Sequence, residues 1–293
     1  MIGVYFQSWS SKWVNSGDIM DLALINNVDV VYLAFANPEM MYTKNSFVNT
    51  GLQFNQDFPV VQKAISILKS RKIKVMLSIG GGSYWSQPKK CNYQSWIDLM
   101  NDLGCDGIDI DWEVSCLDES ALTSAIKKVK SLAPSCKVSF AGWSTGAYGK
   151  DGDPFKGMNI HAMTNAGNLV DWINVMCYDA GTSYDPIGAI TSYRIYYKGP
   201  LMLGFEVGNQ AWGGALLSQA EVIKNCNWMK NENLSNGIFL WSWQKGNDGK
   251  TISGADVLQI SNSILPKRRE DSLPPQQTIP CPNCSKILVL KIA

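Results

Sequence analysis

The chain of 293 residues is long enough for one large domain or two small ones. It is 45% hydrophobic and 17% charged, which is typical of a globular protein with a sizeable core. A formal charge of +1 argues against a nucleic-acid partner, because such proteins carry a strong basic excess. No apolar run approaches the roughly 18 residues of a membrane span. We therefore expect a globular monomer with neither of these partners.

Eight short apolar runs recur along the chain, with helical patterns between them. The strand-like runs are residues 3–9, 28–36, 73–81, 105–114, 137–143, 170–179, 200–208 and 237–243. The helical patterns cover residues 17–26, 57–72, 93–104, 118–133, 218–231 and 253–265. Strands that are apolar on both faces and alternate with helices predict a parallel sheet covered by helices.

Eight such units predict a closed (β/α)8 TIM barrel over residues 1–265. The alternative is an open doubly wound sheet, which would normally place a glycine-rich phosphate loop after the first strand. This chain continues there as QSWSSKW, which is no such loop. After Leu265 the sequence becomes proline-rich and polar, so we predict a flexible tail over residues 266–293.

The fourth run, CDGIDIDWEV at residues 105–114, carries several acids within an otherwise apolar strand. Successive side chains of a strand point to opposite faces, so Asp109, Asp111 and Glu113 share one face. Trp112 lies on the other face with the isoleucines, and we expect it in the core. One face of this strand therefore suits packing against helices, and the other is a row of carboxylates.

A row of this kind suits acid–base chemistry. Active sites of barrels lie at the C-terminal ends of the strands, which places Glu113 at the mouth. Carboxyl groups two strand residues apart are about 6–7 Å apart, and like charges that close raise at least one pKa. A carboxylic acid that stays protonated near neutral pH is a general acid.

A metal cage or a structural polar cluster is the alternative interpretation of the acid row. Magnesium and calcium sites usually take carboxylates from several loops rather than from one rigid strand. A structural row would need compensating cations, and none flank this one in the sequence. We therefore predict catalysis with no metal and no cofactor.

The position of the acids on one strand also restricts the reaction. A retaining glycosidase with two carboxylates needs its nucleophile and its acid on opposite sides of the sugar. Acids on a single strand lie on the same side. The nucleophile must then come from another strand or from the substrate itself.

These residues resemble a known family. DGIDIDWE at residues 106–113 is similar to the DxxDxDxE signature of glycoside hydrolase family 18, the chitinase family, and residues 78–81 (SIGG) resemble its SxGG strand. The resemblance extends through YF, AFA, NVMCYD and FLWSW and covers about residues 2–265. It implies a chitinase that hydrolyses β-1,4 linkages of N-acetylglucosamine polymers with retention, the acetamide of the substrate acting as nucleophile.

The resemblance also implies roles for the acid row. Glu113 would protonate the glycosidic oxygen and later activate water. Asp111 would orient the acetamide and stabilise the oxazolinium ion. Asp109 would share a proton with Asp111, backed by Tyr5 and Ser78.

The remaining implied site residues bind the sugar. Tyr178 would donate a hydrogen bond to the acetamide oxygen, with Asp179 beside it. Met176 would pack below, and Trp241 would form the floor under the reacting sugar. Each aromatic residue could instead be ordinary core. Further tryptophans that lie at strand ends or in loops, and are candidates for additional sugar contacts, are Trp9, Trp13, Trp85, Trp143 and Trp212.

The chain also departs from many members of that family, and rival functions remain. Val207 to Gly237 leaves room for a loop and one helix, so we expect a shallow, open groove. Glu206 stands where relatives often have an apolar residue or proline, and it faces the groove or pairs with a lysine outside. A chitin-binding lectin or an inhibitor on the same barrel would typically lose the acid. An endo-β-N-acetylglucosaminidase acting on N-glycans would keep the same acid motif.

Chitin or N-acetylglucosamine oligosaccharides as partners imply an extracellular location. Met1 is followed at once by IGVYF, which is typical of a core strand rather than an export leader. The only histidine, His161, is expected to have a surface or packing role, which excludes a serine hydrolase.

The eight cysteines leave their pairing open. Cys105 and Cys177 lie in apolar strands, and we expect them to be buried thiols. Cys91 and Cys116 fall in loops that could meet, so a bridge between them is one interpretation. The CPNC motif at residues 281–284 is half of a zinc-ribbon pattern without a second pair, and we expect a solvated tail there rather than a metal site.

Overall fold

A computed structural model describes residues 1–14, 17–84, 90–113, 119–149, 155–211, 213–244, 252–266, 278–280 and 287–289. Eight parallel strands form a closed barrel in chain order, with the first strand paired to the last. They are β1 Ile2–Gln7, β2 Val30–Ala36, β3 Lys74–Gly80, β4 Gly107–Asp111, β5 Lys137–Gly142, β6 Trp172–Val175, β7 Leu201–Glu206 and β8 Gly237–Trp241. The predicted (β/α)8 barrel is confirmed.

The described helices follow β2 to β8, one after each strand. They are α1 Phe58–Ser70, α2 Tyr93–Leu103, α3 Ser120–Leu132, α4 Ile160–Ala166, α5 Pro186–Tyr196, α6 Gln219–Glu232 and α7 Gly254–Ile264. Gly104 ends α2 in the left-handed conformation, and Ser218 caps α6 through a reciprocal capping box with Glu221. The segment between β7 and β8 holds α6, as expected for a barrel without a large insertion there.

The helix predicted over residues 17–26 is wrong. Only a short 3-10 helix, Asp21–Leu24, forms there. The Asp21 N–H donates to the Lys12 carbonyl oxygen at 2.9 Å, whereas in a helix over residues 17–26 it would donate to the Gly17 carbonyl oxygen. Backbone pairing with residues 12–14 thus replaces local helical hydrogen bonds.

Helices α4 and α5 were absent from the sequence prediction. Most of α5 consists of residues with weak helix propensity, such as Gly188, Thr191 and Ser192. Its start is specified by Pro186 in the first turn and by Asp185, whose side chain accepts the N–H of Ile187 at 3.1 Å. Packing in the barrel therefore stabilises a helix that lacks a strong periodic signal.

The barrel interior is a packed core rather than a pore. Its inward-facing apolar cluster includes Tyr5, Tyr32, Trp172, Met202 and Phe239, each at most 2% exposed. A second, larger cluster lies between the strands and the helices. The interior is therefore filled by side chains below the C-terminal mouth.

The N-terminal face of the barrel carries a contact that repeats four times. A polar residue precedes each even-numbered strand and accepts the backbone N–H of a residue in the preceding strand. The pairs are Asp29 with Ile2 (2.6 Å), Asp106 with Val75 (2.8 Å), Asp171 with Val138 (2.9 Å) and Asn236 with Leu201 (3.1 Å). Each odd strand is thus joined to the next even strand by a side chain as well as by the sheet.

A cation accompanies each of these four side chains. The partners are the N-terminus of Met1 at 4.0 Å from Asp29, Lys69 at 3.0 Å from Asp106, Lys137 at 2.7 Å from Asp171, and Arg194 at 2.7 Å from Asn236. We name these residues with their cations the basal ring. It satisfies amide groups at the end of the barrel opposite the mouth, where barrels usually carry stability rather than chemistry.

The predicted tail contains one described pair of short strands. The strands β9 Thr278–Pro280 and β10 Ile287–Val289 pair antiparallel within the predicted tail, whose flexibility stays a prediction. Within the described ranges, no helix is both long enough and apolar enough to cross a bilayer.

We predict that Asp106→Ala lowers the free energy of unfolding by about 2 kcal/mol, because it removes the acceptor for the N–H of fully buried Val75. The ion pair with Lys69 is partly exposed and contributes less than about 1 kcal/mol. Asp106→Asn keeps an acceptor oxygen, as Asn236 does in the same ring, and should lose under about 1 kcal/mol. Denaturant unfolding of both variants tests this, and equal losses would contradict it.

Candidate active site

A cleft of about 350 Å³ lies at the C-terminal mouth of the barrel. Its walls come from the ends of β1, β2, β3, β4, β6 and β8 and from the loops that follow them. The lining residues are Trp9, Phe35, Gly51, Gln53, Gly82, Ser83, Tyr84, Asp111, Glu113, Met176, Tyr178, Asp179 and Trp241. The structure therefore brings together six of the residues that the sequence predicted for the site.

The acid row runs from the interior to this cleft. Asp109 is fully buried, Asp111 is 4% exposed, and Glu113 is half-buried at the mouth. Trp112 points the other way, is 6% exposed and packs against Trp96, as the alternation of strand side chains predicted. The three carboxylates thus form one column of decreasing burial.

Asp109 is held by four donors. Its Oδ2 accepts hydrogen bonds from the hydroxyls of Tyr5 (2.9 Å) and Ser78 (2.7 Å). Its Oδ1 accepts from the hydroxyl of Ser139 (2.6 Å) and the amide of Asn174 (3.3 Å). Burial raises the pKa of Asp109, and the hydrogen bonds from these side chains oppose that rise. Both oxygens are therefore occupied, and the predicted proton sharing with Asp111 stays a prediction.

Tyr5 and Ser78 thus contact Asp109 below the cleft. Sequence reasoning missed Ser139 and Asn174, although a signal existed for Ser139. It stands directly opposite Asp109 in the register of β4 with β5, as Ser78 does in the register of β3 with β4. The alternation of side chains along β3 and β5 would have predicted that both hydroxyls face Asp109.

Asn174 is itself oriented by buried aromatic residues. Trp172 Nε1 donates to the Tyr32 hydroxyl at 2.7 Å, and this hydroxyl donates to Asn174 Oδ1 at 3.0 Å. The Asn174 amide then donates to the Tyr5 hydroxyl at 3.1 Å as well as to Asp109. This chain determines which end of the Asn174 side chain faces the acids.

Asp111 differs from Asp109 because one of its oxygens is unused. In the part of the chain that the structure describes, the buried Oδ1 of Asp111 has no hydrogen-bond partner. Burial, then the charge of Glu113 and then that of Asp109 raise the pKa of Asp111 well above its usual value. A buried acceptor that lines a cleft is suited to a ligand that brings an N–H or O–H donor.

Glu113 has the properties of a proton donor near neutral pH. Burial is the largest effect on its pKa and the nearby Asp179 carboxylate is the next, and together they raise it to about 7. A hydrogen bond from the backbone of Gly82 acts in the opposite direction. Glu113 therefore keeps its proton at pH values where an exposed glutamate has lost it.

Steric crowding explains why residues 80 and 81 of the SxGG motif are glycines. Gly80 has a φ of +117°, and a Cβ there would collide with the carbonyl oxygen of Asp111. Gly81 has a φ of +83°, and a Cβ there would collide with the ring of Phe35. The Gly81 N–H also donates to the Asp111 carbonyl oxygen at 2.7 Å. These glycines therefore let β3 approach the acid strand closely.

Aromatic side chains form one side of the cleft. Trp241 stacks on Phe35 with ring centroids 5.5 Å apart and an interplanar angle of 22°. Trp9 lies 6.5 Å from Trp241 and is 43% exposed. The peptide bonds Ala34–Phe35 and Trp241–Ser242 are cis. The rings of Trp241, Phe35 and Trp9 form an apolar surface beside the carboxylates, of the kind that stacks against sugar rings.

The other predicted tryptophans lie elsewhere. Trp143 is not among the residues that line the cleft; it packs against Phe155 with ring centroids 4.4 Å apart. Trp13 is 45% exposed and also lies outside the lining set. Trp85 and Trp212 fall outside the described residues. Sugar contacts by these four stay predictions.

Sequence reasoning also missed cleft residues in the loops. Gln53 and Tyr84 line the cleft, but their segments carry no motif or periodicity that would have singled them out. Gly51 has a φ of +88°, and a Cβ there would collide with the Tyr84 hydroxyl and the Asn37 backbone, so a larger residue would displace this wall of the cleft. Phe35, the middle residue of the AFA run, also lines the cleft, whereas the alanines on either side of it are buried.

Glu206 does not line the cleft, and its pairing with a lysine stays a prediction. It is 3% exposed and borders a second cavity of about 90 Å³, and Tyr178 lines both this cavity and the cleft. Its carboxylate contributes, after burial and Asp111, to raising the pKa of Tyr178. Glu206 is therefore an interior neighbour of the site.

The cysteines and His161 were also considered from the sequence. Cys105 and Cys177 are buried, as predicted. Cys116 lies outside the described residues, so a bridge to Cys91 stays a prediction. His161 lies on α4 with Nδ1 2.7 Å from the Thr123 hydroxyl, a packing contact remote from the cleft residues.

The fold and the site define a TIM barrel with a carboxylate column at its C-terminal mouth. The profile of Glycosyl hydrolases family 18 matches residues 1–198. The chain belongs to glycoside hydrolase family 18.

Individual relatives are distant. The protein is 24% identical over 292 residues to "Endochitinase 1" of Metarhizium anisopliae, which covers 89% of this chain. The chain spans 66% of that relative's length, just under two thirds. Among solved structures, a fungal endo-β-N-acetylglucosaminidase of family 18 superimposes with a TM-score of 0.69 at 16% identity, covering 90% of this chain and 97% of its own.

A protein described as an inhibitor shares the same fold. A xylanase-A-amylase inhibitor protein superimposes with a TM-score of 0.60 at 18% identity, covering 90% of this chain and 97% of its own. At such identities these likenesses show the fold alone. The function of this chain must therefore be argued from its own residues.

We predict that Glu113→Gln stabilises the protein at neutral pH but not in acid. Between the ordinary glutamate pKa of 4.5 and the folded value of about 7, the unfolded chain has lost the Glu113 proton while the folded chain keeps it. Wild-type stability therefore falls as pH rises through this window, and the variant escapes that loss. The gain should reach roughly 1–3 kcal/mol above pH 7 and vanish near pH 4.

Denaturant unfolding at about pH 4, 6 and 8 measures this difference. Glu39→Gln removes an exposed carboxylate that does not line the cleft and serves as the control for loss of one negative charge. A stability gain in Glu113→Gln that is the same at every pH would rule out the assigned cause.

Proposed function

We propose that this protein is a chitinase that hydrolyses β-1,4 linkages between N-acetylglucosamine units with retention, assisted by the acetamide of the substrate. One observation carries the proposal: a proton donor, Glu113, and a buried acceptor without a partner, Asp111 Oδ1, project from the same strand into the same cleft. Acids on one strand lie on one side of a bound sugar. The attack on the other side then falls to the substrate.

Asp111 is suited to orient the acetamide. Its free Oδ1 is buried, so an N–H donor from the substrate would satisfy it without displacing an existing contact. That hydrogen bond would turn the acetamide oxygen toward the anomeric carbon. The Asp111 carboxyl oxygen would then lie beside the positive charge that develops on the acetamide during attack and would stabilise it electrostatically.

Glu113 is suited to both proton transfers. With a pKa of about 7, it is protonated in mildly acidic solution and would give its proton to the glycosidic oxygen as the C1–O bond breaks. The acetamide oxygen forms the new bond to C1, which yields an oxazolinium ion. Glu113, now ionised, would take a proton from water as that water opens the ring and restores the β-configuration.

Tyr178 and the apolar wall would hold the reacting sugar. Burial and the surrounding carboxylates raise the pKa of Tyr178 well above its usual value, so its hydroxyl stays a donor for the acetamide oxygen. Met176 lines the same pocket, and Trp241 offers a plane for the sugar ring. The cleft opens to solvent beside the half-exposed Trp9, which supports a polymeric substrate.

We infer an extracellular site of action from the substrate, because chitin is an external polymer. A protein that cleaves it needs no partner chain in this scheme, and the monomeric state stays a prediction. The scheme uses no metal or cofactor.

We predict that Glu113→Gln lowers turnover of chitohexaose by about 10²–10⁴-fold, because the amide cannot donate or accept the catalytic proton. Binding of chitin oligomers should persist, since the amide has nearly the same size as the acid. Reducing-end release and calorimetric binding measure the two quantities. Glu39→Gln is the matched control and should keep wild-type turnover. Full activity of Glu113→Gln would refute its assignment as the acid.

A second prediction concerns the substrate. Chitohexaose should be cleaved to shorter oligomers, whereas a fully deacetylated glucosamine hexamer should not, because it has no acetamide to attack the anomeric carbon. Sizing of products over time measures both. Release of glycans from a glycoprotein without cleavage of chitohexaose would favour an endo-β-N-acetylglucosaminidase. Binding of chitohexaose without products would favour a lectin.

A further inference from the structure

The backbone of Asp179 is held by a side chain from another loop. Asp179 follows Tyr178 just after β6 and has a φ of +54°, in the left-handed region that few non-glycine residues adopt. Its backbone N–H donates to the side-chain oxygen Oε1 of Gln210 at 2.6 Å. Gln210 lies in the loop between β7 and α6, and nothing in the sequence pattern had singled it out.

Gln210 connects two loops. Its Nε2 donates to the carbonyl oxygen of Ala215 at 3.0 Å, within its own loop. The Gly181 N–H in the β6 loop donates to the Gly213 carbonyl oxygen at 2.9 Å, which ties the same two loops a second time. A Cβ on Gly214 would collide with the Gln210 side chain, so the loop closes tightly around it. We call Gln210 and these contacts the loop bracket.

The loop bracket borders a cavity. The second cavity, of about 90 Å³, is lined by Tyr178, Glu206, Gln210 and Ala215, among others. Side chains beside a cavity have fewer packing contacts that could fix their position. Gln210 thus has open space on one side, and its hydrogen bonds to Asp179 and Ala215 fix its position.

The titratable groups that share the cleft with Glu113 are two carboxyl groups and two tyrosine hydroxyls. Asp111 lies below it on the same strand, Tyr178 and Asp179 face it from the end of β6, and Tyr84 lines the cleft from the β3 loop. No lysine, arginine or histidine is among the described residues that line this cleft. After burial, Asp179 is the next cause that raises the pKa of Glu113. The placement of one carboxylate thus bears directly on the acid.

We propose that Gln210 is a positioning residue of the active site, which fixes the backbone of Asp179 so that its carboxylate stays beside Glu113. Gln210 touches neither the substrate nor the reacting atoms in this scheme. Without its oxygen, Asp179 relaxes from the left-handed conformation and its carboxylate moves away from Glu113. The negative charge that favours protonated Glu113 then weakens, and Glu113 loses its proton at lower pH.

The effect on turnover rests on the proposed function, but the effect on protonation does not. Gln210→Met keeps the length of the side chain and removes the acceptor. We expect the Glu113 carboxyl, followed by 13C NMR in the free protein, to titrate about 0.5–1 pH unit lower than in wild type. On the alkaline limb of the kcat/KM profile for chitohexaose, this is a loss of about 3–10-fold, with KM little changed.

Two control variants separate positioning from general damage. Gln210→Glu keeps an oxygen that accepts the Asp179 N–H and adds a negative charge, so Glu113 should titrate at or above the wild-type pH. Gln219→Ala removes an exposed glutamine from the first turn of α6 and should leave the titration unchanged. If Gln210→Met unfolds, Gln210→Ala serves as the second variant lacking the acceptor.

An unchanged titration of Glu113 in Gln210→Met, or the same downward shift in Gln210→Met and Gln210→Glu, would overturn the inference. A shift confined to the variants without the acceptor supports it. If wild type proves unable to cleave chitohexaose, the proposed function fails, and the NMR titration still decides the role of Gln210.

Discussion

The burial of three carboxylates on one strand is the constraint on which this site depends. No cation lines the described cleft, so each charge must be neutralised in another way. Asp109 is stabilised by four hydrogen-bond donors, whereas burial and mutual repulsion favour the protonated forms of Asp111 and Glu113. The acid row therefore begins with a hydrogen-bonded carboxylate inside the barrel and ends with a proton donor at its mouth.

The two ends of the barrel differ in how far their polar groups are satisfied by hydrogen bonds. At the N-terminal end, the basal ring gives amide groups of all four odd strands a side-chain acceptor and gives each acceptor a cation. At the C-terminal end, Asp111 keeps a buried oxygen without a partner in the described structure. An unsatisfied group costs stability. A well-satisfied opposite end is what allows the fold to tolerate that cost.

The short segment between β7 and β8 also shapes the site. It holds α6 and a loop, and among the described residues this loop supplies Gln210 but none that line the cleft. Hydrogen bonds between the β6 and β7 loops hold the rim of the cleft on this side. Glu206, buried beside the second cavity that Tyr178 also lines, contributes to raising the pKa of Tyr178. The electrostatics of the mouth are thus set from β6 and β7 as well as from the acid strand.

The sequence by itself determined the barrel, the acid row and the inward direction of Asp109, Asp111 and Glu113, because strand periodicity and a dense local motif act over a few neighbouring residues. Tertiary structure alone decided what surrounds them. Asn174 and Gln210 reach the acids or Asp179 from strands and loops distant in the chain, and no local pattern records such contacts. The failed helix at residues 17–26 has a related reason: pairing with residues 12–14, which lie outside the predicted segment, uses backbone groups that local propensity had assigned to a helix.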